Sequence, residues 1–174
     1  MKRIITMAVL LILNLVLQST IMQHIRFNSV IPNTSIVFIV SFSLLRGKTE
    51  GTIVGFFAGI LQDIFYGSSI GFYALLGMLT GYFLGRYNPN YYRENFALPV
   101  FFSFVVTLIY ETVIFVIGPF FNGSFNYFYF FITKIIPCAV YTSVTAIIIY
   151  RLLFSVNDRL EKSEKYKRKL FSIK

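Results

Sequence analysis

Charged positions are sparse enough in this chain to divide it by eye. Ile4–Met22 and Phe27–Leu45 hold none, Gly51–Gly85 holds only Asp63, Asn95–Thr133 only Glu111, and Ile135–Tyr150 again none. A helix needs ~20 apolar residues to cross the hydrocarbon core of a bilayer. The third run is too long for one pass and breaks at Gly67-Ser68-Ser69; the fourth breaks at Gly118-Pro119 and Asn122-Gly123-Ser124. The pattern predicts six helices, roughly 4–22, 31–45, 50–66, 70–87, 97–118 and 130–153. The second and third are short, so one of them is a candidate for a partial or re-entrant span. Long period-two alternation, which a membrane barrel requires, is missing. A helix also satisfies its backbone polar groups within the segment, as lipid demands.

Composition turns this pattern into a class. The 174 residues are 56% hydrophobic and 13% charged, with 21 Phe and 12 Tyr. Soluble domains carry about 25% charged residues, so a soluble enzyme, a disordered chain and a secreted disulfide scaffold are all excluded. The single cysteine, Cys138, lies in an apolar run and reads as packing. The expected architecture is an all-α integral membrane protein, a six-transmembrane-helix bundle over residues 1–154 with a basic cytoplasmic tail over 155–174.

Net charge of +9 then reads as topology. With the N-terminus inside, the cytoplasmic side holds Lys2, Arg3, Arg46, Lys48, Arg86, Arg93, Arg151 and the seven basic residues of the tail. The other side holds Arg26, and Lys134 lies near the start of helix six. This asymmetry predicts N-in and C-in. Residues 1–20 have the charge and apolar core of a signal peptide, but Gln18-Ser19-Thr20-Ile21-Met22 offers no small-x-small cleavage site, so an uncleaved first helix is expected. In the tail, Asp158-Lys162 and Glu161-Lys165 are (i, i+4) pairs that would carry helix six into the cytoplasm. The tail serves as a positive-inside stop or as a surface for anionic membrane lipids or a cytosolic partner. No heptad seam and no nucleic-acid motif accompanies it.

Glycines form two ridges. Gly51, Gly55 and Gly59 recur every four residues on helix three, and Gly77, Gly81 and Gly85 on helix four. That spacing puts each set on one face, where small residues let backbones approach closely. Folding the chain about Ser68 pairs 51 with 85, 55 with 81 and 59 with 77, and sets Asp63 opposite Tyr73. Gly67 and Gly71 flank the turn and suit positive φ.

Asp63, Glu111 and Lys134 interrupt the spans, and each needs a partner or a wet cavity in lipid. All three, with Gln18 and Gln62, fall in the outer half of the bundle. One arrangement pairs Glu111 with Lys134 and caps Asp63 with hydroxyls or water. The other is an outward-facing polar pocket for a small ligand or a partner segment. No Ser-His pairing, no HExxH and no Cys/His metal spacing is present, so neither catalysis, a metal nor a cofactor is expected. His24, beside Gln23, reads as interfacial.

The stretch from Gly55 to Leu75, GFFAGILQDIFYGSSIGFYAL, resembles the core signature of the rod shape-determining protein MreD family. There a Gly-Phe-x-x-Gly-hydrophobic-x-x-Asp core precedes a small-residue turn and a Gly-x-Tyr-Ala-like helix start. Pro32, Arg46-Gly47, the length, the span count and the basic tail resemble it too; Asn33 stands where an acidic residue often follows the proline. The resemblance implies a non-enzymatic component of the cell-elongation machinery in the bacterial cytoplasmic membrane, organising lateral peptidoglycan synthesis. It implies MreC as partner and, more loosely, MreB, RodA and a class B penicillin-binding protein. The implied fold is similar to the substrate-binding subunits of energy-coupling-factor vitamin transporters, which makes such a subunit the rival function. Those subunits commonly dock through Ala-x-x-x-Ala on helix one, where this chain has Ala8 followed by Ile12.

Overall fold

The computed structural model describes residues 2–25, 30–66, 71–87, 96–117 and 126–171. Six helices make up nearly all of them. α1 runs as Lys2–Val16, widens into a π-helical turn at Leu17–Ile21 and closes at Met22–His24. α2 is Thr34–Arg46, α3 Lys48–Tyr66, α4 Phe72–Leu84 and α5 Ala97–Phe115. α6 opens as Tyr127–Phe130, passes a π-helical turn at Phe131–Ile135 and continues as Ile136–Phe171. No strand occurs among the described residues. The expected turn at 67–69 and the breaks at 118–119 and 122–124 lie outside the described residues. The residue 154/155 boundary falls inside α6, where Lys162 meets Asp158 at 2.6 Å one turn away.

Two helical segments, Ala97–Phe115 and Tyr127–Leu160, are long and apolar enough to cross a membrane alone; Ile5–Ile21, Thr34–Arg46 and Phe72–Leu84 are shorter apolar helices. Apolar side chains cover the outside as well as the core, and a set of polar ones is buried. Ile5, Val9, Ile12 and Val16 on α1, Phe101 and Ile109 on α5, and Val140, Val144, Ile148 and Leu152 on α6 are exposed, while Asn14, Asn33, Ser41, Gln62, Asp63, Ser103, Thr107 and Thr142 are buried. An apolar girdle of this extent is costly in water and free of cost in hydrocarbon.

α2 is the axis. Every residue from Thr34 to Leu45 is buried, and α1, α3, α4, α5 and α6 all pack on it. A helix buried all round has no amphipathic stripe, and the hydroxyls of its second half are satisfied locally: Ser41 donates to the Val37 carbonyl and Ser43 to that of Ile39. Gly47, at φ 86°, lets the chain leave α2 and enter α3 at the next residue. Its N–H donates back to Ser43 while its carbonyl accepts from Gly51.

The most extensive helix pair is α3 with α4, and glycine explains it. A Cβ built on Gly55 would collide with the Gly77 carbonyl, one on Gly81 with that of Gly51, and one on Gly59 with the backbone of Tyr73 and Ala74. The two backbones are therefore in direct contact along the ridge. The register differs from the sequence expectation by one helical turn. Gly51 faces Gly81 rather than Gly85, Gly55 faces Gly77 rather than Gly81, and Gly85 abuts Lys48. Gly51 also abuts Ser43, and Gly77 lies against Ile39, so the same small residues seat α2 on the hairpin.

α6 carries Pro137 just after its π-helical turn. Proline has no N–H to give the Thr133 carbonyl and its ring crowds that carbonyl. A widened turn ahead of it accommodates both.

Candidate functional site

A layer of polar side chains closes the end of the bundle where α1, α3 and α5 finish and α2, α4 and α6 begin. Its geometry starts from an elementary deficit: the first turn of a helix has N–H groups with no partner inside the helix. α2 begins within the packed bundle, so the deficit must be met by side chains. Gln18 on α1 accepts at Oε1 from the Thr34 hydroxyl at 2.8 Å, the Ser35 hydroxyl at 3.0 Å and the Ser35 N–H at 3.2 Å. Asn33, the N-cap, accepts at Oδ1 from the Ile36 N–H at 3.3 Å, while its own N–H donates to the Thr142 hydroxyl on α6 at 3.1 Å. Asn14, one turn before Gln18, donates to the Ser35 hydroxyl at 3.1 Å.

From Asn33 the network runs on. Gln62 on α3 donates to the same Asn33 Oδ1 at 3.0 Å and accepts at Oε1 from the Tyr110 hydroxyl of α5 at 2.8 Å. Tyr110 in turn lies beside Tyr73 of α4, ring centroids 6.1 Å apart. Asn33 is also a polar neighbour of Glu111. One chain of contacts thus joins α1, α2, α3, α5 and α6.

Asp63 does for α4 what Gln18 and Asn33 do for α2. Its carboxylate accepts from the N–H groups of Gly71, Tyr73 and Ala74 at 3.0, 2.9 and 3.0 Å, and the side chain is 2% exposed. A negative charge at a helix N-terminus also meets the positive end of the macrodipole. Gly71, at φ 103°, turns the chain so that these donors converge. The expected neighbour, Tyr73, is there, but its backbone N–H makes the contact, and backbone amides stand where hydroxyls or water were expected.

Four of the five polar positions marked in the sequence therefore belong to one layer: Gln18, Gln62, Asp63 and Glu111. Lys134 does not join them. It is exposed, with its ammonium 5.2 Å from the Phe130 ring centroid, and the expected Glu111–Lys134 ion pair is not formed. Lys134 lies within the π-helical turn Phe131–Ile135. An extra residue in a turn shifts the helical phase by about 100°, and Ile135, 1% exposed, takes the inward position instead. Asn14, Thr34, Ser35, Tyr110 and Thr142 of the layer were not marked in the sequence, and Asn33 was marked only for its place after Pro32. Two signals were available: Asn14 and Gln18 are four apart on an otherwise apolar helix, and Pro32-Asn33-Thr34 is a helix-start pattern.

Chemically, the layer is a fastening. The acceptors of Gln18, Asn33, Gln62 and Asp63 are spent on helix starts and on one another, while Asn14 Oδ1 is buried without a partner. Among the described residues no three of His, Cys, Asp and Glu gather. Cys138 is buried and lies against the Ile31 carbonyl at 3.5 Å.

A family model described as rod shape-determining protein MreD matches residues 1–157. No curated protein and no solved structure matches the chain.

Proposed function

The chain belongs to the rod shape-determining protein MreD family, which carries a role in rod-shape determination, and from that membership we propose a non-enzymatic scaffold of the bacterial cell-elongation machinery. It spans the cytoplasmic membrane six times with both termini inside, the arrangement that puts its Lys and Arg residues on the cytoplasmic side. It acts by holding other membrane proteins of lateral peptidoglycan synthesis together. MreC is the first partner, and MreB, RodA and a class B penicillin-binding protein are contacted directly or through it.

The observation that carries this reading is the family match over 1–157. Two features of the bundle support it. Its surface is an apolar girdle, against which a partner's membrane helix packs by shape and a few polar contacts. Its polar layer is committed to helix starts, which favours a rigid frame over an open ligand pocket.

Purification of the full chain from solubilised cell membranes tests the proposal. MreC is expected to co-purify, and depletion is expected to round the cells. A stoichiometric, tightly bound vitamin without MreC would replace the scaffold by a transporter subunit.

A further inference from the structure

α4 and α5 both lean on α2, but each has its main partner elsewhere, α4 in α3 and α5 in α6. Between them runs a groove of about 670 Å³. Leu76, Leu79 and Phe83 line one wall and Phe102, Ile109 and Val113 the other. Leu79, Phe83 and Ile109 are exposed, so the groove opens sideways to the surroundings of the bundle. Its two ends differ. Toward the polar layer it finishes on apolar side chains and the Tyr110 ring; at the opposite end stand Arg86 and Tyr87, both exposed. Tyr87 packs against Phe102 across that mouth, ring centroids 5.1 Å apart and planes tilted by 49°. A second cation is close by: Lys48 abuts Gly85, and its ammonium lies 3.9 Å from the Tyr82 ring centroid.

We propose that this groove is a binding site for an anionic phospholipid, acyl chain between α4 and α5 and phosphate on Arg86. The claim rests on the membrane-spanning reading given above. Length supports it. From Phe102 to Val113 on α5 the groove covers about 16 Å at ~1.5 Å per residue, about one leaflet of a ~30 Å hydrocarbon core. Shape suits a lipid: an acyl chain is thin and flexible enough to follow an open apolar groove between two helices. Charge selects the headgroup: a guanidinium at the mouth matches a phosphate with two parallel N–H bonds, and Lys48 adds positive potential on the same side.

The test is native mass spectrometry of the full chain released from nanodiscs containing equal phosphatidylglycerol and phosphatidylcholine. One phosphatidylglycerol is expected to stay bound under activation that strips the lipid annulus. Arg86→Gln should cut its retention about tenfold relative to phosphatidylcholine. Leu79→Trp with Ile109→Trp, both on the exposed walls, should abolish retention of either lipid while far-UV helicity stays unchanged. Equal retention of the two lipids by the native chain, no retained lipid, or an adduct that survives the double Trp variant would overturn the site. So would displacement of the adduct by a co-purified membrane helix. Nanodiscs present both leaflets, so a reversed orientation leaves the result unchanged and is detected separately by thiol labelling. Loss of MreC binding leaves it unchanged as well.

Discussion

The Gln62 amide donates to Asn33 Oδ1 at 3.0 Å, across 29 residues of sequence and between the end of α3 and the start of α2. The same oxygen caps α2 through the Ile36 N–H. Helix capping and helix packing are therefore one interaction here. Asn33→Ala is expected to leave two buried donors without an acceptor, at about 1–3 kcal/mol for a stranded buried group and about 1 kcal/mol for a lost cap. Thermal unfolding of the purified protein in detergent measures this, and an unchanged midpoint would remove Asn33 from the frame.

Asp63→Ala should be worse, since three backbone donors of α4 lose a charged acceptor worth about 1.5–3 kcal/mol net per bond. Asp63→Asn keeps one carbonyl oxygen and should fall between. Hydrogen exchange is the direct readout: the amides of Gly71, Tyr73 and Ala74 should exchange faster in both variants. If they keep wild-type protection in Asp63→Ala, the carboxylate is not their acceptor.

The glycine ridge separates two kinds of glycine. Gly55→Ala and Gly77→Ala push a methyl into backbone, and overfilling of this kind costs about 1–3 kcal/mol. Gly71→Ala meets open space and should cost about 1–2 kcal/mol through its left-handed backbone alone. Restoring room on the opposite helix cannot rescue Gly55→Ala, because the obstacle is a carbonyl; chemical denaturation of the single and double variants checks this.

Lys134→Ala should lie within about 0.5 kcal/mol of the native protein, as for other exposed substitutions. A double-mutant cycle with Glu111→Gln should show coupling near zero. A coupling above about 1 kcal/mol would place the two charges together after all.

Orientation has its own test. In a Cys138→Ala background, single cysteines at Ser29, Ser69 and Ser124 should react with an impermeant thiol reagent from outside intact cells, and those at Thr49 and Asn90 should not. Reaction at Thr49 from that side would reverse the topology.

Helix number and approximate limits were legible in the sequence because charge is costly in hydrocarbon and so punctuates the chain. The glycine faces were legible because a spacing of four keeps a helix face. Depth was legible too: counting residues along each helix placed Gln18, Gln62, Asp63 and Glu111 in one layer, and they share one. Register and azimuth were not. Two ridges that each repeat every four residues match as well after a slide of four, so the choice between Gly55–Gly81 and Gly55–Gly77 lay outside the pattern. Tertiary geometry decided it: the Asp63 carboxylate takes the first amides of α4, and the Gly47 corner sets Lys48 against Gly85. Depth likewise says nothing of direction around a helix, and the π-helical turn at Phe131–Ile135 turned Lys134 away from Glu111. The central place of α2 was hidden for the same reason. A short helix apolar on all sides reads alike whether lipid or protein surrounds it, and only the packing of five other helices distinguishes the two.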